Sequence, residues 1–217
     1  ADGNGIKCSS NSHVINDMVS DVFFQSRKRQ RIDSQFRFIA CGALRKNRVK
    51  GFDILVDAFM KAQFPEDVIL NIVGDGPDRV FLQSKIERNG LSGRVNLLGT
   101  KTPKEISQLL CDSDCFVLSS RIETFAIVVI EAMAKGLPII ATRCGGPETF
   151  IRQEHGLLVD KENVDQLTKA MIYMTNHTAD YDSNEIRNYC YSHFSQNVIA
   201  NQIIDVYKEV LKKNHNL

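Results

Sequence analysis

Glu123 and Glu131 stand eight residues apart in Ser119-Ser120-Arg121-Ile122-Glu123-Thr124-Phe125-Ala126-Ile127-Val128-Val129-Ile130-Glu131-Ala132-Met133-Ala134-Lys135-Gly136-Leu137-Pro138. The first precedes an apolar stretch of helical character and the second lies inside it, between Ile130 and Ala132. Glutamate is seldom buried without a partner. Glu131 therefore answers either a local Arg or Lys or the hydroxyls of a ligand. Glu123 is also what the positive end of a helix dipole favours. Eight helical residues rise about 12 Å, so the two carboxylates could bracket an extended ligand, with the amides of Phe125, Ala126 and Ile127 exposed to a phosphate.

A second constellation is Cys41-Gly42-Ala43-Leu44-Arg45-Lys46-Asn47-Arg48-Val49-Lys50-Gly51, with four cations in six residues between an apolar run and a helical one. Crowded like charges repel unless they are solvated or face an anion. A helix N-terminus nearby makes a diphosphate the natural guest, and an exposed basic loop is the equal alternative. A third is Val73-Gly74-Asp75-Gly76-Pro77, a tight turn with Pro77 read at the first helical position. It is not a dinucleotide fingerprint, because Arg79 occupies the place of the third glycine.

Other groups point to less. The six cysteines (Cys8, Cys41, Cys111, Cys115, Cys144, Cys190) lack disulfide-scaffold spacing and read as reduced thiols, several of them in apolar runs. The five histidines are dispersed. Asp112-Ser113-Asp114 is read as a polar connector in preference to a divalent-cation site, and Asn176-His177-Thr178 as a chance glycosylation sequon.

Positioning these residues requires strands whose ends converge. Apolar runs at 36–41, 68–73, 94–98, 115–118, 138–142 and 157–159 read as strands buried on both faces. Helical patterns at 52–63, 77–89, 103–111, 125–135 and 147–152 fall between them. The alternation predicts an α/β fold: a single Rossmann-like, doubly wound parallel sheet of about six strands, with ligands at the carboxyl ends. Helices at 164–173, 184–193 and 197–211 form a C-terminal tail. The expected organisation is residues 1–34 as a linker from a preceding domain, 35–160 as the sheet domain and 161–217 as C-terminal helices. Residues 1–12 read as a loose polar stretch, and Arg27-Lys28-Arg29-Gln30-Arg31 as a solvated connector.

Over the 217 residues, 27 Lys and Arg nearly balance 26 Asp and Glu. A net charge of +1 argues against a nucleic-acid partner held by phosphate neutralisation. No apolar run reaches the roughly 18 residues needed to span a bilayer.

Together these segments resemble the C-terminal, donor-binding half of a GT-B glycosyltransferase of the retaining family 4. Glu123 and Glu131 match its Glu-x7-Glu motif. Gly136-Leu137-Pro138-Ile139-Ile140-Ala141-Thr142, Gly145-Gly146-Pro147-Glu148 and Gly156-Leu157-Leu158-Val159 are similar to the signature that follows it. Lys50-Gly51-Phe52-Asp53, Val73-Gly74-Asp75-Gly76-Pro77 and Val95-Asn96-Leu97-Leu98-Gly99 match upstream landmarks in order, and 13–19 is similar to the interdomain segment. The resemblance implies sugar transfer from a nucleotide diphosphate-sugar with retention, by front-face attack. Lys50, with Arg45, would stabilise the leaving diphosphate. Gly42, Ala43 and Gly74 would line the cleft, and Glu123 and the backbone of Thr124, Phe125, Ala126 and Ile127 would meet sugar and phosphate. Glu131 would hold the ribose, and Leu98, Gly99, Thr100 and Lys101 the nucleobase. It implies no cofactor and no metal, and a saccharide or glycolipid acceptor bound by a separate N-terminal domain. It also implies a cytoplasmic protein that, at full length, associates peripherally with a membrane. The chain departs from the family pattern at Ala43, where arginine is usual, and at Ala126, where glycine is usual. These departures keep two rivals in view: a nucleotide-binding module without transfer, favoured by both alanines, and a nucleotide-sugar epimerase of similar architecture.

Overall fold

The computed structural model describes residues 13–25 and 33–215, with side chains through residue 212. Cys8, the polar stretch 1–12 and the basic run 27–31 lie outside the described residues. Six strands, β1 (Phe36–Cys41), β2 (Val68–Val73), β3 (Val95–Leu97), β4 (Cys115–Leu118), β5 (Ile139–Arg143) and β6 (Gly156–Asp160), form one sheet in the order β3-β2-β1-β4-β5-β6. All neighbours pair in parallel, with β1 against β2 running from Phe36↔Val68 to Cys41↔Val73. The strands are mostly apolar because helices cover both faces, with Arg37, Asn71 and Asn96 as polar interruptions in β1, β2 and β3. Phe38, Ala40, Leu70, Ile72, Val117 and Ile140 face one core with α1 (Phe52–Lys61), α2 (Arg79–Arg88) and α5 (Val164–His177). Ile39, Cys41, Phe116, Leu118, Ile139 and Ala141 face the other with α3 (Pro103–Cys111), α4 (Ile127–Met133) and α6 (Ser183–Phe194). Alternate residues thus serve opposite cores, as the two-residue strand period demands.

Helix starts follow local chemistry. Thr102 caps α3 in a full capping box with Glu105, and Pro103 opens the helix. Asn163 and Asp182 cap α5 and α6 through their side chains. Several expected boundaries move. Pro77 lies outside α2, whose N-cap is Asp78. The expected helix at 147–152 is only a 3-10 turn, Pro147–Thr149. The helix expected from residue 125 begins at Ile127, because Ala126 adopts a left-handed conformation with φ 72°. Consequently Glu123 lies in a loop, and the uninterrupted helical rise from Glu123 to Glu131 does not exist.

The helices after residue 160 share the two cores with the sheet. Leu167, Met171 and Met174 of α5 join the first, and Ile186, Cys190 and Phe194 of α6 join the second. At 13–25 the chain is tied down where the Val19 N–H donates to the Phe194 carbonyl at 2.8 Å. α7 (Gln196–His215) follows α6, and no described helix is long and apolar enough to cross a membrane.

Candidate functional site

In this strand order the winding reverses between β1 and β4. The chain leaves β1 for a helix on one face and leaves β4 for a helix on the other, opening a crevice at their carboxyl ends. The β1 loop carries Lys50 and the β4 loop carries Glu123. Lys50 Nζ donates to Glu123 Oε1 at 2.6 Å, and Ser120 Oγ donates to the same oxygen at 2.6 Å. The lysine side chain is 28% exposed and the glutamate 10%, so the carboxylate is the deeper partner.

Close packing holds the two loops together. Gly51 has φ 62°, and a Cβ there would lie 1.9 Å from the Ser119 carbonyl oxygen, so only glycine fits. Ser119 Oγ donates to the Lys50 carbonyl at 2.9 Å. The aliphatic stem of Lys50 crosses Gly42, where a Cβ would meet its carbons at 3.1–3.3 Å. The Glu123 backbone is fixed from β5: its N–H donates to the Cys144 carbonyl and its carbonyl accepts from the Gly146 N–H, both at 3.0 Å.

The third loop forms the adjoining wall. The Gly74 N–H donates to the Gly99 carbonyl at 2.9 Å, and the Gly42 N–H to the Val73 carbonyl at 2.9 Å. A Cβ at Gly74 would lie 1.9 Å from the Gly42 carbonyl oxygen, so the strand ends meet backbone to backbone. Leu98 and Gly99 are half-buried beside this contact, Thr100 is exposed, and Lys101 reaches Glu105 at 3.7 Å. Ala43 and Arg45 are exposed, and Arg45 lines one depression with Lys50, Gly51 and Asp78. Arg48 turns away, its guanidinium 3.6 Å from the Phe81 ring centroid and bonded to Asp78.

Thr124 is exposed, Phe125 half-buried and Ala126 buried as they lead into α4. Phe125 packs on Phe150 and Phe194. The Ile127 and Val128 N–H groups belong to the first turn, where no intrahelical acceptor exists. Glu131 lies one turn beyond Ile127 on the same side of α4. Burial pushes its carboxyl up to about 7, and no side chain among the described residues pairs with it. It lies close to the end of β1, since Cys41, whose thiol is pushed up to about 12 first by burial, also feels the Glu131 charge. Among the described residues, no Arg or Lys ties Glu131 down as a structural glutamate.

Asp112 and Asp114 are occupied as connector residues: Asp112 accepts from Gln108, and Asp114 accepts from the Arg37 backbone N–H at 2.9 Å. Cys41, Cys111, Cys115, Cys144 and Cys190 are buried. Two residues that sequence reasoning left without a role, Asp53 and Arg121, form a bidentate ion pair at 3.0 Å beside the Lys50–Glu123 pair. They are 68 positions apart, and no local pattern links them.

The six-stranded parallel sheet flanked by helices is that of one half of a GT-B glycosyltransferase fold. Residues 35–177, more than half of the chain, match the family described as glycosyl transferases group 1, and the chain belongs to that family. It is 30% identical over 165 residues to the phosphatidylinositol N-acetylglucosaminyltransferase GPI3 subunit of Saccharomyces cerevisiae, covering 73% of this chain and 36% of that one. Among solved structures, the lipopolysaccharide outer core galactosyltransferase WaaB shares the fold with a TM-score of 0.76 at 22% identity, over 91% of this chain and 56% of that one. Anabaena HepE in complex with UDP-glucose is similar at 27% identity with a TM-score of 0.72, over 81% of this chain and 49% of that one. The chain spans less than half the length of the curated relatives it matches.

Proposed function

We propose that this chain is the donor-binding half of a retaining glycosyltransferase whose donor is a uridine diphosphate-sugar. The observation that carries the reading is the Lys50–Glu123 pair at the winding reversal, with the unpartnered Glu131 carboxylate one helical turn into α4. Donor binding exchanges partners. Lys50 leaves Glu123 for the diphosphate, and Glu123, still held by Ser120, accepts hydrogen bonds from hydroxyls of the transferred sugar. The first-turn amides of α4 face the phosphates, Glu131 takes the ribose hydroxyls, and Leu98–Lys101 with Gly74 flank the base. Uracil is assigned because the similar HepE binds UDP-glucose.

Cleavage at the anomeric carbon leaves positive charge on the sugar and negative charge on the departing UDP. Lys50, assisted by Arg45, stabilises the second, and a cation already in place costs no reorganisation at the moment of reaction. Glu123 orients the sugar and is not assigned as a nucleophile. The electrostatic work falls to these cations, so no metal requirement is expected. The acceptor, a saccharide or glycolipid, is assigned to a second half. On this reading the full protein would serve polysaccharide or glycolipid assembly at the cytoplasmic face of a membrane, as relatives in lipopolysaccharide core biosynthesis and phosphatidylinositol glycosylation suggest.

Calorimetric titration of the 217-residue chain tests the reading. UDP and UDP-glucose should bind, GDP and ADP should not, and EDTA should leave binding unchanged. Lys50→Ala should weaken UDP by at least about tenfold, the worth of one charge-assisted hydrogen bond. A chain that ignores every diphosphate would overturn the assignment.

A further inference from the structure

Arg121 lies two residues before Glu123, and four of its hydrogen bonds reach across to the segment on either side of Lys50. Nη1 and Nη2 donate to Asp53 Oδ1 and Oδ2, each at 3.0 Å. Nη1 also donates to the Arg48 carbonyl at 2.5 Å, and the Arg121 backbone N–H donates to the Val49 carbonyl at 2.7 Å. Nε donates to Glu162 at 2.9 Å. The two carboxylates differ in depth: Asp53 is 15% exposed and Glu162 is 62% exposed. The Asp53 fork is therefore the constraining arm, and the Glu162 contact is peripheral and screened by water.

The need for such an arm follows from the loop itself. Leu44 anchors the start of the loop in the core, but Arg45, Lys46, Arg48 and Lys50 repel one another, and Arg45, Lys46 and Asn47 are exposed, so the stretch leading to Lys50 needs anchors beyond burial. A cation on a mobile loop must be ordered by its ligand, and that ordering is subtracted from affinity. Arg121 fixes the loop at residues 48, 49 and 53 while its own charge is spent on Asp53 and Glu162, which leaves Lys50 able to change partner.

Resting on the donor-site reading above, we infer that Arg121 is the positioning residue of this site: it locks the loop carrying Lys50 to the loop carrying Glu123, so that cation and carboxylate address one ligand from fixed points. Protonation agrees. Burial works against the Asp53 carboxylate, yet the hydrogen bonds and charge of Arg121 hold it below the usual range, and the Asp53 hydrogen bonds hold Arg121 above its own.

Two measurements on the full 217-residue chain test the inference. The first is amide hydrogen exchange of segments 46–53 and 119–124 without ligand. The second compares UDP, which engages Lys50, with uridine, which does not. Arg121→Ala should speed exchange in both segments together. It should weaken UDP about tenfold while uridine affinity stays within about twofold, a split that general destabilisation would not produce. Asp53→Asn keeps the side-chain shape and carries the same expectation should Arg121→Ala fail to fold. Glu162→Gln should change neither readout. Unchanged exchange, or UDP and uridine weakened in equal proportion, would overturn the inference. If the unmodified chain ignores UDP while Arg121→Ala still releases both segments, the clamp stands and the donor assignment falls.

Discussion

In the free chain Lys50 and Glu123 neutralise each other, and Glu131 does not share in that arrangement. The state of Glu131 can be tested by pH. Burial raises the Glu131 carboxyl from 4.5 to about 7, so between these values the folded chain keeps a proton that the unfolded chain releases. The stability this group contributes is therefore full below about pH 4.5, falls as pH rises towards 7 and is flat above. A contribution on the order of 1–2 kcal/mol is expected after allowing for partial exposure. Asp53, held low by Arg121, acts in the opposite sense, losing its contribution as pH falls below the usual carboxylate range. Subtracting the denaturation profile of Glu131→Gln from that of the parent isolates the first term. The difference curve should slope downward from pH 4.5 to 7; a flat curve would remove the shifted carboxyl. UDP affinity should run the other way, rising through pH 7 as the ionised form becomes available to accept ribose hydroxyls. Glu131 stood out in the sequence because a charge inside an apolar helix is conspicuous, Glu123 because it precedes that helix, and Lys50 as one cation of a crowded loop whose role only the family resemblance implied. Arg121 and Asp53 did not, because each reads alone as an ordinary loop or helix-start charge. Only the fold brings residues from different strand loops to 3.0 Å.

At the scale of elements, the sheet was readable because most strands are apolar runs covered on both faces and alternate with helical patterns, which leaves few other interpretations. Boundaries were less readable where backbone geometry overrides composition. Ile127 to Met133 is apolar enough to suggest that the helix continues upstream, yet Ala126 stops it with φ 72° and ψ 65°. An L-residue held there costs about 1–2 kcal/mol, and glycine relieves this at a cost of about 0.5–1 kcal/mol in the unfolded chain. Ala126→Gly should therefore stabilise the fold by up to about 1 kcal/mol, a rise of roughly 2–4 °C in Tm by calorimetry. Gly146 offers the contrasting case. Its φ of −66° suits any residue, but a Cβ would lie 2.5 Å from the Phe125 Cα and 2.6 Å from the Thr124 carbonyl oxygen. Gly146→Ala should lower Tm and displace the loop after Glu123. An Ala126→Gly chain that melts lower than the parent would mean that the left-handed geometry at residue 126 does not carry the cost assigned to it.

For the whole molecule, the question is how much chemistry one wall of a cleft can perform. Lys50, Glu123 and Glu131 lie in the loops after β1 and β4 or one turn into α4, so every group assigned to the donor approaches from one domain. Transfer also needs an acceptor hydroxyl held near the anomeric carbon and water kept away from it. Holding two reactants in register is worth roughly 7–11 kcal/mol of the barrier, and closure supplies the water exclusion. The curated relatives are more than twice as long as the stretch this chain matches, which is room for a second wall. Binding and turnover should consequently separate. The 217-residue chain should bind UDP-glucose with measurable heat, yet release UDP no faster than buffer in a coupled assay, with or without added saccharide. Supplying the acceptor-binding half, fused or in trans, should restore release in the presence of acceptor, and Glu123→Gln should abolish it while UDP binding persists. Turnover by this chain alone near 1 per second, the lower end of ordinary enzyme rates, would show that a single wall suffices and would overturn the division of labour proposed between the halves.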